Sequence, residues 1–300
     1  MSLDLSKIQA AAAQAVKEGA DQTVAKTGGG DYTPPPEGTV ALRFFGYIEL
    51  GKQPGTYQGK PTVKEEVALL FEAAGKKYLT GENNDKPTIF AVVLPFSLNE
   101  KSHYFKLFTR MNHAGKAQHM AQLLGEGFKA TVVHDKWTSK KDGKERITAE
   151  LRDASGYTIG PARVDIMNAD GEPETVPMPV PALQAPLKVL FWNNPDMEQW
   201  ASLFIDGEYP ERKDKDGKVT APAKSKNVWQ NKVKQAKNFK ESPLYLLLAN
   251  NGQPLDIPEP GEDPDDHDST ADIPEGDTPV AAAVTPTGAA ADDALAGIGG

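Results

Sequence analysis

Along residues 39–50, Thr-Val-Ala-Leu-Arg-Phe-Phe-Gly-Tyr-Ile-Glu-Leu, apolar side chains recur with period two. Val40, Leu42, Phe44, Ile48 and Leu50 fall on one face, and Arg43, Phe45, Tyr47 and Glu49 on the other. This alternation predicts a strand with one buried face. The second face sets two aromatic rings beside an arginine on a surface that a half-buried strand turns to water. Either that face is an exposed platform for flat rings, or a helix or the N-terminal segment covers it.

The same reading carries on down the chain. Residues 1–30 show a weak helical pattern (Leu3, Leu5, Ile8, Ala12, Val16) that ends at three glycines, and Pro34, Pro35 and Pro36 form a stiff entry to the first strand. Residues 51–61 hold three glycines and two prolines and read as a loop. Strands are expected at 63–72 and 88–96. Another is expected at 104–111, where Tyr104, Lys106, Phe108 and Arg110 would share a face. Residues 113–124 read as a short helix closed by Gly125 and Gly127. Strands follow at 128–137, with Phe128, Ala130 and Val132 inward, and at 146–152. Asp142-Gly143 between them is a hairpin signal.

With 88–96 and 104–111 read as one strand split in two, the order is three strands, a helix and two strands, the order of the oligonucleotide-binding barrel, the OB-fold. The expected fold is therefore mainly β with α+β elaborations: a five-stranded OB-fold barrel with a helix between strands 3 and 4. Beyond it, 162–167 and 187–192 read as strands and 195–204 as a helix. Residues 226–239 read as a helix with Trp229, Val233, Ala236 and Phe239 on one face, and 242–249 as a helix or strand. From 251 onward large apolar residues almost vanish, so a disordered tail is expected. The expected domains are an N-terminal arm at 1–35, the elaborated barrel at 36–250 and the tail at 251–300.

Charge sharpens the picture. The net charge is −9, but residues 251–300 hold twelve acids and no base, which leaves the body at +3. A slightly basic body with an acidic tail points to a nucleic-acid or protein partner. The absence of cysteine removes disulfides and thiol chemistry and agrees with a reducing cytoplasm. No apolar run is long enough to span a bilayer, and 1–20 has no continuous apolar core, so neither a membrane span nor a signal peptide is expected.

Enzyme motifs are missing. No phosphate-binding loop or dinucleotide fingerprint occurs, and His113 and His119 have no third ligand nearby in sequence. The acidic run at 262–268 lacks the turn glycine and distal glutamate of a calcium loop. No cofactor or metal is expected, although dispersed carboxylates leave a metal-dependent nuclease open. Binding features are denser. Residues 136–146 hold five bases and two acids beside Trp137, and 212–240 hold ten bases and two acids. Lysine and arginine displace counterions from phosphates, and aromatic rings stack on bases.

Pro-Glu-Gly-Thr-Val-Ala-Leu-Arg-Phe-Phe-Gly-Tyr-Ile-Glu-Leu-Gly-Lys at 36–52 opens a further pattern, joined by Val-Ala-Leu-Leu-Phe-Glu at 67–72. It continues in Trp-Ala-Ser-Leu-Phe-Ile-Asp-Gly at 200–207, Trp229-Gln230, Ala236-Lys237-Asn238-Phe239 and the acidic tail. Together these resemble the replicative single-stranded-DNA-binding proteins of tailed bacteriophages, over roughly 36–250. The resemblance implies an OB-fold core and sequence-tolerant binding of single strands in replication or recombination in the host cytoplasm. It also implies a tail that contacts phage or host replication proteins; the charge of the tail adds the expectation that it modulates DNA binding. The tip, 292–300, departs from that pattern by lacking an aromatic. The side chains expected to stack are Phe45, Tyr47, Tyr57, Tyr104 and Trp137. Those expected to meet phosphates are Arg43, Lys52, Lys60, Lys106, Arg110, Lys136, Lys140, Lys141, Lys144 and Arg146. The other reading is a protein-interaction module, a polymerase accessory factor or a virion component.

Overall fold

The computed structural model describes residues 34–57, 59–80, 86–139, 143, 145–213, 217 and 219–258. The elements below lie within the unit Pro35–Gly300.

The chain is mainly β. Strand β1 (Gly38–Tyr57) turns at Gly59 into β2 (Lys60–Ala74), antiparallel over its whole length. The expected loop at 51–61 is thus mostly strand, because β1 runs on to a tight turn. Strand β3 (Ile89–Pro95) pairs with the inner half of β2. Helix α1 (His103–Met111) follows, capped by the Ser102 hydroxyl, which accepts the Phe105 N–H at 3.1 Å. Strand β4 (Gly127–Thr138) lies antiparallel to the start of β1, and β5 (Glu145–Glu150) antiparallel to β4. Among the described residues no ladder joins β3 to β5, so the sheet stays open.

Strand β6 (Gly160–Pro161) borders β4, and β7 (Arg163–Met167) and β8 (Pro173–Pro177) form a separate two-stranded ribbon. Strand β9 (Lys188–Leu190) then runs parallel to β1 at Gly46, Tyr47 and Ile48. Helices α2 (Met197–Ser202), α3 (Val228–Lys234) and α4 (Pro243–Asn250) follow, with short two-stranded ladders between α2 and α3. None of the described helices is long and apolar enough to cross a membrane.

One bulge organises this arrangement. The β1–β2 register slips between Phe44 and Gly46. A side-chain period of two cannot survive an inserted residue, so inside and outside exchange at that point. Val40, Leu42, Phe44 and Tyr47 point into one core with Val67, Leu69, Phe71, Phe90, Phe128 and the α1 residues Tyr104, Leu107 and Met111. Phe45, Ile48, Leu50, Ala68 and Leu70 point into a second core, against Leu190, Trp200, Val233, Phe239 and Leu248 from β9 and the C-terminal helices. At the bulge the outer edge of β1 also passes from β4 to β9. Gly46 is required there, since a Cβ on it would lie 2.7 Å from the Leu70 side chain.

Two sequence expectations are corrected here. Residues 104–111 are not a strand: Tyr104, Leu107 and Met111 recur at helical spacing and are the buried side of α1. Residues 113–124 hold no α-helix, only turns and a 3-10 turn at Met120–Leu123 capped by His119. The face shared by Trp229, Val233, Ala236 and Phe239 is kept, with α3 shorter than expected and a 3-10 turn at Phe239–Glu241.

Gly51 has φ +71, and a Cβ there would meet the Trp192 ring at 2.2 Å. Gly51→Ala is expected to cost about 1–2 kcal/mol from the left-handed backbone alone, plus the displacement of Trp192. Urea unfolding of the two proteins measures it, and equal midpoints would mean that Trp192 does not rest on Gly51.

Candidate nucleic-acid interface

The β4–β5 hairpin carries the most complete constellation. The inward side chains of β4 are Phe128, Ala130 and Val132, so parity turns Trp137 to the opposite face. There it stands across the ladder from Arg146, whose guanidinium lies 5.8 Å from the ring centre. The indole N–H donates to Thr148 Oγ1 at 2.9 Å, which fixes the ring plane. Lys136 is exposed on the same hairpin. Lys140, Lys141 and Lys144 lie outside the described residues. An arginine beside a half-exposed indole is the pairing that holds a base by stacking and its phosphate by charge.

The β1–β2 hairpin extends past the part of β2 covered by β3. Lys52 and Lys60 are exposed on it. Its root is fixed: the Lys52 N–H donates to Asn238 Oδ1 at 2.8 Å, and the Lys52 carbonyl accepts the Lys237 N–H at 2.8 Å. Glu66 pairs with Lys232 at 3.3 Å. The Tyr57 side chain lies outside the described residues. On α1, Lys106 and Arg110 are exposed, and Arg110 Nη1 donates to the Tyr157 carbonyl at 2.6 Å.

Four expected contacts are overturned. Phe45, Tyr47 and Tyr104 are at most 3 % exposed, so no base reaches their faces. Phe45 is covered by the helical layer, while Tyr47 and Tyr104 lie in the first core because the bulge and the helix re-aim them. Arg43 is committed to the fold. Its guanidinium donates to the carbonyls of Gly125, Val180 and Pro181. Its ladder partner Glu72, itself buried, accepts the N–H groups of Gln184 and of Ala185, the latter at 2.6 Å. Arg43 and Glu72 together strap residues 180–185 across the sheet.

The basic stretch 212–240 is also partly committed. Lys234 donates to the Pro254 carbonyl at 2.7 Å, and burial lowers its pKa. Lys226 sits over the Tyr209 ring. Lys237 and Lys240 remain exposed.

Sequence reading missed a groove of about 270 Å³ between β3 and β5. Phe90 to Val93 line one wall, and Thr148 to Arg152 with Tyr157 line the other. Arg152 lies over the Tyr157 ring at 5.9 Å, and burial pushes the Tyr157 hydroxyl up to about 12. The signal was present only as Gly156-Tyr157 after a turn. Its position beside β3 depends on the long-range pairing of β4. Among the described residues no cluster of three His, Asp or Glu side chains is able to hold a metal ion.

Comparison with protein-family models, curated proteins and solved structures gave no match to this chain.

Proposed function

We propose that this protein binds single-stranded DNA with little sequence preference, through an elaborated OB-fold core. The observation that carries the reading is the β4–β5 hairpin, where Trp137 and Arg146 pair on the outward face and Lys136, next in sequence, is exposed. The strand order supports it. β1 pairs with both β2 and β4, β3 follows β2, a helix stands before β4, and β5 follows β4. This is the order of a partly open Greek-key barrel whose first and last hairpins contact oligonucleotides. The resemblance of its sequence to phage replicative single-strand binders agrees with it, and in this reading the protein acts in replication or recombination.

Burial of Phe45, Tyr47 and Tyr104 removes the aromatic platform that the sequence suggested. Charge on the hairpins and on α1 therefore contributes more, and of the rings expected to stack, stacking rests on Trp137 among the described side chains. Poly-dT is expected to bind at least tenfold tighter than duplex of equal length, since duplex bases are already stacked. Binding is expected to weaken steadily with salt as counterions are released. Fluorescence titrations at two salt concentrations test both. Equal affinity for the two DNA forms would remove the stacking mechanism, and no salt slope would remove the phosphate contacts.

In this reading the acidic residues beyond 258 act as a tethered competitor for the basic hairpins and as a contact for replication proteins. Deleting 259–300 is expected to raise duplex affinity more than single-strand affinity, because only single strands add stacking to charge. Unchanged constants at low salt, where ionic competition is strongest, would leave partner contact as the tail's role.

A further inference from the structure

Between α2 and α3 the chain runs out and back as an antiparallel arm. Glu208–Tyr209 pairs with Lys224–Ser225, and Arg212–Lys213 with Val219–Ala221. Along the sequence the arm is nearly neutral, with six bases and five acids from 206 to 226. The ladder sorts those charges. Tyr209 stands directly across from Lys224, so the two side chains share one face, and Glu208 takes the other face with Ser225. The Lys226 N–H donates to the Gly207 carbonyl at 3.0 Å, which carries the pairing one step further. The Lys226 ammonium lies 5.3 Å from the centre of the Tyr209 ring. Glu211, beyond Pro210, is neutralised by Lys213 at 2.7 Å.

A tyrosine ring thus has one lysine across the ladder and a second against it. The ring is 55 % exposed, and Lys224 is exposed as well. Among the described residues neither Lys224 nor Lys226 is paired with a carboxylate. Contact with a ring fixes where an ammonium sits and leaves its charge uncompensated. Trp137 and Arg146 make the same kind of pair on the β4–β5 hairpin. Flat rings accept any base by stacking, and neighbouring cations accept its phosphate. An acidic protein loop would answer the lysines alone, whereas a base with its phosphate answers ring and lysines together.

We propose that Tyr209, Lys224 and Lys226 form a second contact for single-stranded DNA, the ring stacked on a base and the two lysines on phosphates. The inference rests on the single-strand reading above and extends it to an arm that belongs to none of the expected barrel strands.

The full-length protein is titrated with poly-dT over a range of salt, beside Tyr209→Ala, Tyr209→Phe and the double variant Lys224→Ala with Lys226→Ala. Tyr209→Ala is expected to weaken binding roughly fivefold or more, one stacked base, and Tyr209→Phe, which keeps the ring, to bind as the parent does. The double variant is expected to lower the slope of log affinity against log salt by about 1.4, two phosphates of a single strand. Irradiating the parent bound to iodouracil-substituted oligo-dT is expected to place a covalent label on Tyr209, a readout that needs no variant to fold. Variants equal to the parent in affinity and slope, or a label confined to Trp137, overturn this contact and leave the hairpin reading standing. A parent that fails to bind poly-dT overturns both.

Discussion

Tyr47→Ala is expected to lower the stability of the folded protein by about 3–5 kcal/mol, the range for emptying a large buried aromatic site. The ring lies edge-on to His119 at 5.0 Å and near Phe191 at 6.0 Å. Its hydroxyl donates to Glu49 Oε1 at 3.1 Å, while Glu49 Oε2 accepts the Trp192 N–H at 2.6 Å. Tyr47 therefore joins the first core to the segment that follows β9. Tyr47→Phe keeps the ring and is expected to cost about 1 kcal/mol, one hydrogen bond. Urea unfolding of both variants, with oligonucleotide binding measured below the transition, separates packing from contact. Normal stability with lost binding would return Tyr47 to the interface.

The same burial gives an alkaline signature. Burial holds the hydroxyls of Tyr47 and Tyr104 above their ordinary value of 10.0, and pushes that of Tyr157 up to about 12. The folded protein thus keeps protons that the unfolded chain releases. The stability from these groups is full below the unfolded value and is lost as pH rises from there through the folded values. Urea midpoints are expected to hold between about pH 8 and about pH 9.5 and to fall by about pH 11. A flat profile would mean that the three rings are not buried.

Trp137→Ala is expected to weaken single-strand binding by about 1–3 kcal/mol, one stacked base, or roughly 5- to 150-fold. The folded state loses a cross-strand pair and one side-chain hydrogen bond on an outward face, about 1 kcal/mol or less. Duplex affinity is expected to change little, since it depends on charge. Trp137→Phe keeps a stacking face without the N–H donor to Thr148 and is expected to recover most of the binding. Early melting with normal binding would make Trp137 a packing residue and remove the observation on which the functional reading stands.

The β4–β5 hairpin was legible because it is local: Asp142-Gly143 stands between two alternating runs. The β1–β2 hairpin was not, because the glycines and prolines of 51–61 read as a loop where β1 runs on as strand. The face of Trp137 was legible as well, because no bulge interrupts β4 between Phe128 and Thr138. Residues 104–111 were not: their alternating pattern also supplies the spacing of three and seven that Tyr104, Leu107 and Met111 use. Ser102, an N-cap residue three positions before Phe105, was the signal that decided for a helix.

By itself the sequence determined which segments pair locally, where charge is concentrated, and that the chain is mainly β with helices toward its C-terminal end. Those properties depend on side-chain period, turn residues and composition, which are written in consecutive positions. The tertiary structure alone decided which rings are within reach of a ligand. Phe45 and Tyr47 differ in neither composition nor propensity from exposed stacking residues. One is hidden by a helical layer built from residues more than a hundred positions away, the other by a one-residue slip of register against β2. Arg43 likewise carries the chemistry of a phosphate ligand, but the carbonyls of Gly125, Val180 and Pro181 reach it first. Burial and competition for a guanidinium are set by contacts distant in sequence, and no local pattern records them.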